Sequence, residues 1–223
     1  MCGRFTQQRP TSELAEIFGA TDLVADPGEH FNVAPTDEAS VVVEREGRRA
    51  ITRYRWGLVP HWAADSRGAA RMINARSETL ERSSAFREAF RRRRCLVPVD
   101  SFYEWRREGG VRQPYRIAGD DGLPLALAGL WAGRRDPQTE QVVRTFTIVT
   151  TTANDRIAAL HDRMPVVIPR SAWDRWLDRD TSGTGELRAL LEPRELGLDI
   201  YPVVRLVNDV RNDGPELIQP LAV

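Results

Sequence analysis

Residues 86–105 read FREAFRRRRCLVPVDSFYEW, and this stretch decides the fold. With the residues just before it, its first part spaces apolar side chains three to four apart, which predicts a helix over 84–93. Its second part holds two strand-like runs back to back, 95–99 and 101–106, rich in β-branched and aromatic residues. The run Arg91–Arg94 resembles a nucleic-acid patch, but it ends the helix. Successive helical residues point about 100° apart, so four in a row cannot share one face. The run is therefore read as mostly solvated, with at most one phosphate contact. Working outward, the same spacing predicts helices over 11–18, 154–160, 171–178 and 185–192. Strand-like runs cover 40–45, 50–57, 114–118, 125–131, 143–151, 164–168 and 200–206. Strands outnumber helices and do not alternate with them, so the expected fold class is α+β, one domain over 1–223 on a curled, mostly antiparallel sheet. The loop-like segment 179–185 reads as a surface excursion within that domain.

The chain has 223 residues, 41% hydrophobic and 29% charged, which suits a soluble globule with a real core. It contains no apolar run long enough to span a membrane, and MCGRFTQQRP at the start is not a signal peptide. Two cysteines, Cys2 and Cys95, make no disulfide framework, so a cytoplasmic, reducing location is the expectation. Cys95, in RRCLVPV, reads as core. Net charge is zero. Residues 1–116 hold 20 Arg against 16 acids, a net of +4, and residues 117–223 hold 12 Arg against 16 acids, a net of −4. No phosphate-cradling glycine loop, G-x-G-x-x-G or G-x-S-x-G occurs, and the cysteines and histidines lack zinc spacing. No cofactor and no metal are expected, and a monomer is the default.

All 32 basic residues are Arg; the chain has no lysine. Methionine aminopeptidases remove Met1 when a small residue follows, so the mature chain is expected to begin at Cys2. Its α-amine would then be the sole alkyl amine, next to a thiol. Such a 1,2-aminothiol condenses with an aldehyde and closes a thiazolidine. Ordinary pKa values of about 7.7–8.0 for the amine and about 8.5 for the thiol leave both usable near neutrality. Bland readings remain beside this one: a small buried hydrophobe at position 2, and GC-rich coding that replaces Lys by Arg.

Three further polar residues sit in apolar surroundings. Asn74 in RMINARSET is either a site residue or a turn residue. Glu104 in DSFYEWR is either a buried acid–base with a raised pKa or an outward residue on an alternating strand. His161 in IAALHDRMP is either a proton carrier or a helix C-cap or satisfied core histidine. Aromatic and basic residues interleave at Arg4-Phe5, Arg55-Trp56, His61-Trp62 and Trp105-Arg106, a pattern of single-strand nucleic-acid binding or simply of core aromatics.

Taken together, MCGRF, FNVAPT, RWGLVPHW, MINARSET, FREAFRRRRCLVPVDSFYEW, PYRI, LAGLW, FTIVTTTAN, LHDRMPVVI and NDGPELIQP resemble the SRAP family, in family order from residue 1 to about 220. The resemblance implies a pseudo-barrel of strands with peripheral helices around a DNA groove. It implies an abasic-site sensor that captures abasic sites in single-stranded DNA through a thiazolidine at Cys2, shielding the strand from cleavage. By the same resemblance Asn74 positions the N-terminus and sugar, Glu104 assists ring opening and reversal, and His161 is a second proton carrier. Arg76 and Arg163 resemble phosphate clamps, with Arg4 a weaker one. Pro35 and Trp62 resemble wedge positions, and Thr150 falls at a site hydroxyl. An SOS-response setting, a nucleoid association if bacterial, and lyase or autopeptidase side activities belong to the same implication. Two other readings stay open. One is an N-terminal-nucleophile cysteine peptidase, with Cys2, His161 and Asn74 imitating a Cys-His-Asn set. The other is a DNA-binding module with no chemistry.

Overall fold

Strand β1 (Phe5–Gln7) leads into helix α1 (Thr11–Phe18), followed by β2 (Thr21–Asp22), β3 (His30–Val33), β4 (Glu38–Arg45) and β5 (Arg48–Trp56). After a long loop come β6 (Asn74–Arg76), α2 (Arg87–Arg92), β7 (Arg94–Val99), β8 (Ser101–Glu108), β9 (Val111–Gly119), β10 (Leu125–Arg135) and β11 (Val142–Thr152). The last elements are α3 (Asp155–Ala158), β12 (Arg163–Pro165), α4 (Trp173–Leu177), α5 (Thr184–Ala189) and β13 (Leu198–Pro202). The structure, a computed structural model, describes residues 2–63, 65, 68–136, 139–181 and 184–221.

Five of these strands close into a ring. β4 pairs β5, β5 pairs β11, β11 pairs β10, β10 pairs β7, and β7 returns to β4. The pairing of β5 with β11 is parallel, as are the short pairings of β6 with β11 and of β2 with β5; the other ladders are antiparallel. A second, antiparallel sheet runs β13-β9-β8-β1-β3. The fold is α+β with a barrel-like ring, as expected.

The alternation of side chains along the ring strands explains the closure. Val41, Val43, Trp56, Cys95, Val97, Leu127, Phe146 and Ile148 bury in one cluster, which continues into Cys2, Phe5, Phe102 and Ile117 of the second sheet. Their neighbours of opposite parity, Val42, Ile51, Leu96, Ala128, Leu130 and Val149, join a separate cluster with Leu14, Phe18, Phe90, Trp176 and Leu187 of the helices. Period-two strands thus carry apolar residues on both faces, one face lining the ring and the other covered by helices.

Helix α1 matches its expected span, and its C-cap Gly19 adopts the left-handed conformation that ends helices. The helix expected over 84–93 is shorter, Arg87–Arg92. The strand expected over 200–206 stops at Pro202 and gives way to a 3-10 turn, Arg205–Asn208. Of the run 164–168 only the first residues lie in a strand, β12, while Val167 makes an isolated antiparallel bridge to Leu127. Strands β1, β2, β3 and β6 are too short to show a period. Cys95 is buried core, as read.

Arg94 corrects the reading of the arginine run. Arg91 and Arg92 are exposed, but Arg94 is buried. Its Nε donates to Trp176 O at 2.6 Å, Nη1 to Phe90 O and Arg91 O at 2.7 Å, and Nη2 to Asp178 O and to Thr181 O. The carbonyl-rich C-terminal ends of α2 and α4 supply the acceptors that make a buried guanidinium tolerable.

Candidate functional site

Cys2 is carried into the interior by the strand that follows it. β1 lies antiparallel to β8, Phe5 opposite Phe102 and Thr6 opposite Ser101, and Tyr103 N donates to Arg4 O at 3.0 Å. This register carries Cys2 toward Glu104, and Cys2 is 0% exposed. Its carbonyl accepts from Asn74 Nδ2 at 2.8 Å. Asn74 comes from the ring side: β6 runs beside β11, with Asn74 opposite Ile148 and Arg76 opposite Thr150. One side-chain amide therefore joins the N-terminal segment to the barrel. Asn74 lies on a strand, and the turn reading is set aside.

Glu104 is 2% exposed. It lies on β8 opposite Tyr115 of β9, and Ser101, Phe102 and Tyr103 before it are buried as well, so this part of β8 has no solvent face. The outward reading of Glu104 is overturned, because the second face of β8 is covered by the chain around Cys2. Burial raises the Glu104 pKa. Burial, and then the Glu104 charge, push the Cys2 thiol up.

His161 follows α3, whose N-cap Asn154 accepts from Ile157 N at 3.1 Å. The His161 ring is half-buried, and its Nδ1 accepts from Arg163 N at 3.0 Å. Asp162 Oδ1 stands 2.7 Å from the same nitrogen, but that carboxylate is largely in solvent. Burial lowers the His161 pKa, which favours the neutral ring.

Glu104, His161 and Arg4 line one cleft of about 330 Å³ with Gly3, Trp105, Arg107, Arg112 and Asn208. Arg4 is half-buried. Its Nη1 donates to Asn32 Oδ1 at 3.1 Å and to Val207 O at 2.9 Å. Asn32 in turn donates to Val207, Asp209 and Asn212 carbonyls, which ties the segment after β13 to β3. The structure thus brings Cys2, Asn74, Glu104, His161 and Arg4 together.

The remaining residues singled out by sequence lie elsewhere. Arg76 is exposed at the end of β6. Arg163 is not a bare cation: Nη1 and Nη2 hold Glu78 Oε1 and Oε2 at 2.6 and 3.0 Å, and Nη2 also donates to Thr150 O at 2.7 Å. That fork holds the Glu78 carboxyl below its ordinary range. Thr150 is buried in β11. Its Oγ1 and the Asn74 Oδ1 make no hydrogen bond among the described residues. Trp62 is 55% exposed on the loop between β5 and β6, whose neck is closed by Leu58 N donating to Met72 O at 3.1 Å. Pro35 is half-buried just after β3. Neither Trp62 nor Pro35 lines the Cys2 cleft.

Sequence reasoning missed Arg107, Arg112 and Asn208, and marked Trp105 only through its pairing with Arg106. A signal existed for the two arginines. Gly109-Gly110 is a two-residue hairpin turn, and it sets Arg107 opposite Arg112. A Cys-His-Asn set is not assembled, since Asn74 binds the Cys2 carbonyl and His161 is oriented by the Arg163 backbone. Met1 lies outside the described residues. Among the described residues no group of three His, Cys, Asp or Glu is placed to hold a metal, and no helix is long and apolar enough to cross a membrane.

The family model described as SOS response associated peptidase (SRAP) matches residues 1–210. The abasic site processing protein YoqW of Bacillus subtilis (strain 168) is 34% identical over 223 residues, covering 98% of this chain and 99% of that one. The abasic site processing protein YedK of Escherichia coli (strain K12) is 31% identical, covering 99% and 100%. Among solved structures, a Bacteroides thetaiotaomicron protein superposes with a TM-score of 0.88 at 23% identity, covering 99% and 100% of the two chains, a likeness of fold. A phage-related protein of Bordetella bronchiseptica superposes with a TM-score of 0.70 at 32% identity, covering 91% and 94%.

Proposed function

The chain belongs to the SRAP family, and on that premise we propose that it processes abasic sites in DNA by covalent capture at Cys2. The observation that carries this reading is the Cys2–Asn74 bond together with buried Glu104, which lines a cleft with His161 and Arg4. Relatives named as abasic site processing proteins support the substrate.

In this reading Met1 is removed and Cys2 presents its amine. An abasic deoxyribose is mostly a closed hemiacetal. Glu104, whose pKa burial raises toward that of a usable acid, gives its proton to the ring oxygen while the anomeric hydroxyl loses one, and the aldehyde opens. The Cys2 amine adds to C1′ and water leaves, forming the imine. The thiol then adds across the C=N bond: sulfur goes to carbon, the proton to nitrogen, and the thiazolidine closes. Asn74 fixes the Cys2 backbone so that amine and thiol meet the same carbon. His161, whose pKa burial lowers, relays protons at the cleft wall. Closing the ring removes the imine that would otherwise drive β-elimination and strand breakage.

The peptidase reading is weaker on physical grounds. A cysteine nucleophile needs a depressed thiol pKa and an orienting base. Here burial and the Glu104 charge act the other way on the Cys2 thiol. Thiazolidine formation tolerates this, because the amine attacks first. Single-stranded DNA is the proposed substrate, since no partner strand then competes for the cleft. A cytoplasmic monomer is the proposed setting.

Intact mass tests the scheme. The Met1-free protein, mixed with a uracil-glycosylase-treated single-stranded oligonucleotide, is expected to gain the oligonucleotide mass minus one water and to keep it on heating. A Met1-free protein that gains nothing would sink the capture reading. Cys2→Ser keeps the amine and loses the sulfur, so it is expected to give no heat-stable adduct and to nick the strand instead. A heat-stable adduct from that variant would rule out the thiazolidine.

A further inference from the structure

The capture chemistry uses Glu104 and His161 of the cleft next to Cys2 and leaves one wall without a task. That wall is the β8–β9 hairpin, where Arg107 stands opposite Arg112. Its turn residues, Gly109 and Gly110, have φ of 56° and 82°, the left-handed pair that a two-residue hairpin demands. The wall is braced. The Arg112 guanidinium lies 5.5 Å from the centroid of the Trp105 ring, and Trp105 Nε1 donates to Asn208 Oδ1 at 2.6 Å.

The charge balance of the cleft is one-sided. Arg4, Arg107 and Arg112 all line it, and among the described residues Glu104 is its one acidic lining residue, with its pKa raised by burial. Among the described residues neither Arg107 nor Arg112 has a carboxylate partner or donates a hydrogen bond. The Arg112 charge also bears on Arg4, whose pKa is lowered first by burial and further by that neighbour. Like charges gathered at a concave surface repel unless an anion lies between them.

The placement gives the anion its identity. Arg76 and Arg163 stand on β6 and β12 against the ring, whereas Arg107 and Arg112 stand on the second sheet. Cys2 lies between, joined to the ring through Asn74 and leading into β1 along β8. Resting on the capture reading, we propose that Arg107 and Arg112, backed by Arg4, form a second phosphate seat across Cys2 from Arg76. The substrate is then a strand that continues past the abasic sugar on both sides, with the Trp105 edge of the cleft facing the sugar.

The test compares wild type with Arg107→Ala/Arg112→Ala and Arg107→Lys/Arg112→Lys. Each is mixed with single-stranded oligonucleotides whose abasic site is internal, at the 5′ end or at the 3′ end. Removing a charge-assisted hydrogen bond to phosphate is expected to slow capture of the internal site roughly tenfold or more in the Ala variant. On the one terminal substrate that lacks the seated phosphate the penalty is expected to shrink to within about twofold, an end-specific pattern that destabilisation would not produce. The Lys variant is expected to recover part of the rate. Binding to an undamaged single-stranded oligonucleotide reads the seat without the chemistry. There the slope of log affinity against log salt is expected to fall by about 0.7 for each phosphate that the variant no longer neutralises. An Ala variant with the wild-type slope, or with the same penalty on all three abasic substrates, overturns the seat. If wild type forms no heat-stable adduct with any abasic strand, the capture reading fails, and the salt slope alone still decides the seat.

Discussion

Glu104 is buried beside the Cys2 thiol, and that burial sets a sign for its pH dependence. A carboxyl whose folded pKa is raised binds its proton more tightly when folded. Its contribution to stability is fully present below the unfolded value of about 4.3 and is lost as pH rises through the raised folded value. Glu104→Gln removes this dependence. The variant is expected to melt higher than wild type near neutral pH, with the difference vanishing in acid, as followed by thermal melts across the pH range. The same change removes the acid from the ring-opening step, and capture is expected to slow by about 10²–10⁴-fold. Higher stability with lower activity would mark a group kept for chemistry. The sequence singles out Cys2 as a candidate because an α-amine beside a thiol would be chemically distinctive in a chain without lysine. Glu104 was not legible as buried, because one strand read alone cannot tell that both its faces are covered. Arg163 was legible as basic but not as forked onto Glu78, a pairing between residues 85 positions apart.

At the scale of elements, Gly57 ends β5 and turns the chain into the loop that carries Trp62. Its φ is 119°, and a Cβ there would stand 2.6 Å from Ala69 O. Gly57 N also donates to Phe146 O at 2.8 Å, so the backbone cannot easily swing away. Gly57→Ala is expected to cost at least about 2 kcal/mol, a fall in Tm of roughly 4–8 °C, measurable by calorimetry. The fork from Arg163 on β12 to Glu78, just past β6, acts in the other pH direction from Glu104. The Glu78 pKa is lowered, so its stabilisation is present above the unfolded value and lost as pH falls through the lowered one. Glu78→Gln is expected to reduce the steepness of acid unfolding, to a small degree because the pair is partly solvated. The long strands were legible from period-two patterns, as was α1 from its apolar spacing. The three-residue β6 was not: its ladder partner on β11 lies 74 positions away, as Asn74 and Ile148 show, and nothing local announces it.

Over the whole molecule, zero net charge hides an uneven distribution. The first 116 residues carry the excess of arginine, and Arg4, Arg76, Arg107 and Arg112 all come from them. With four phosphates engaged, affinity for single-stranded DNA is expected to fall with salt at a log–log slope of about −3, measurable by anisotropy titration. A slope near zero would contradict phosphate-led binding. The class of the fold was legible from strand count and order. Ring closure was not, because it depends on a parallel contact between β5 and β11, Arg55 beside Thr145, that no local pattern announces.

The burial of Cys2 also sets a schedule on the ribosome. Its neighbours Asn74 and Glu104 are made long after it, and at about 5–20 residues per second roughly 5–20 s separate the synthesis of residue 2 from that of residue 104. For that interval the start of the nascent chain has no interior to enter. On the capture reading, excision of Met1 would therefore have an open window, which shuts as β6 and β8 fold over the site. If Cys2 is the capturing residue proposed above, the order of translation lets it be uncovered first and enclosed afterwards.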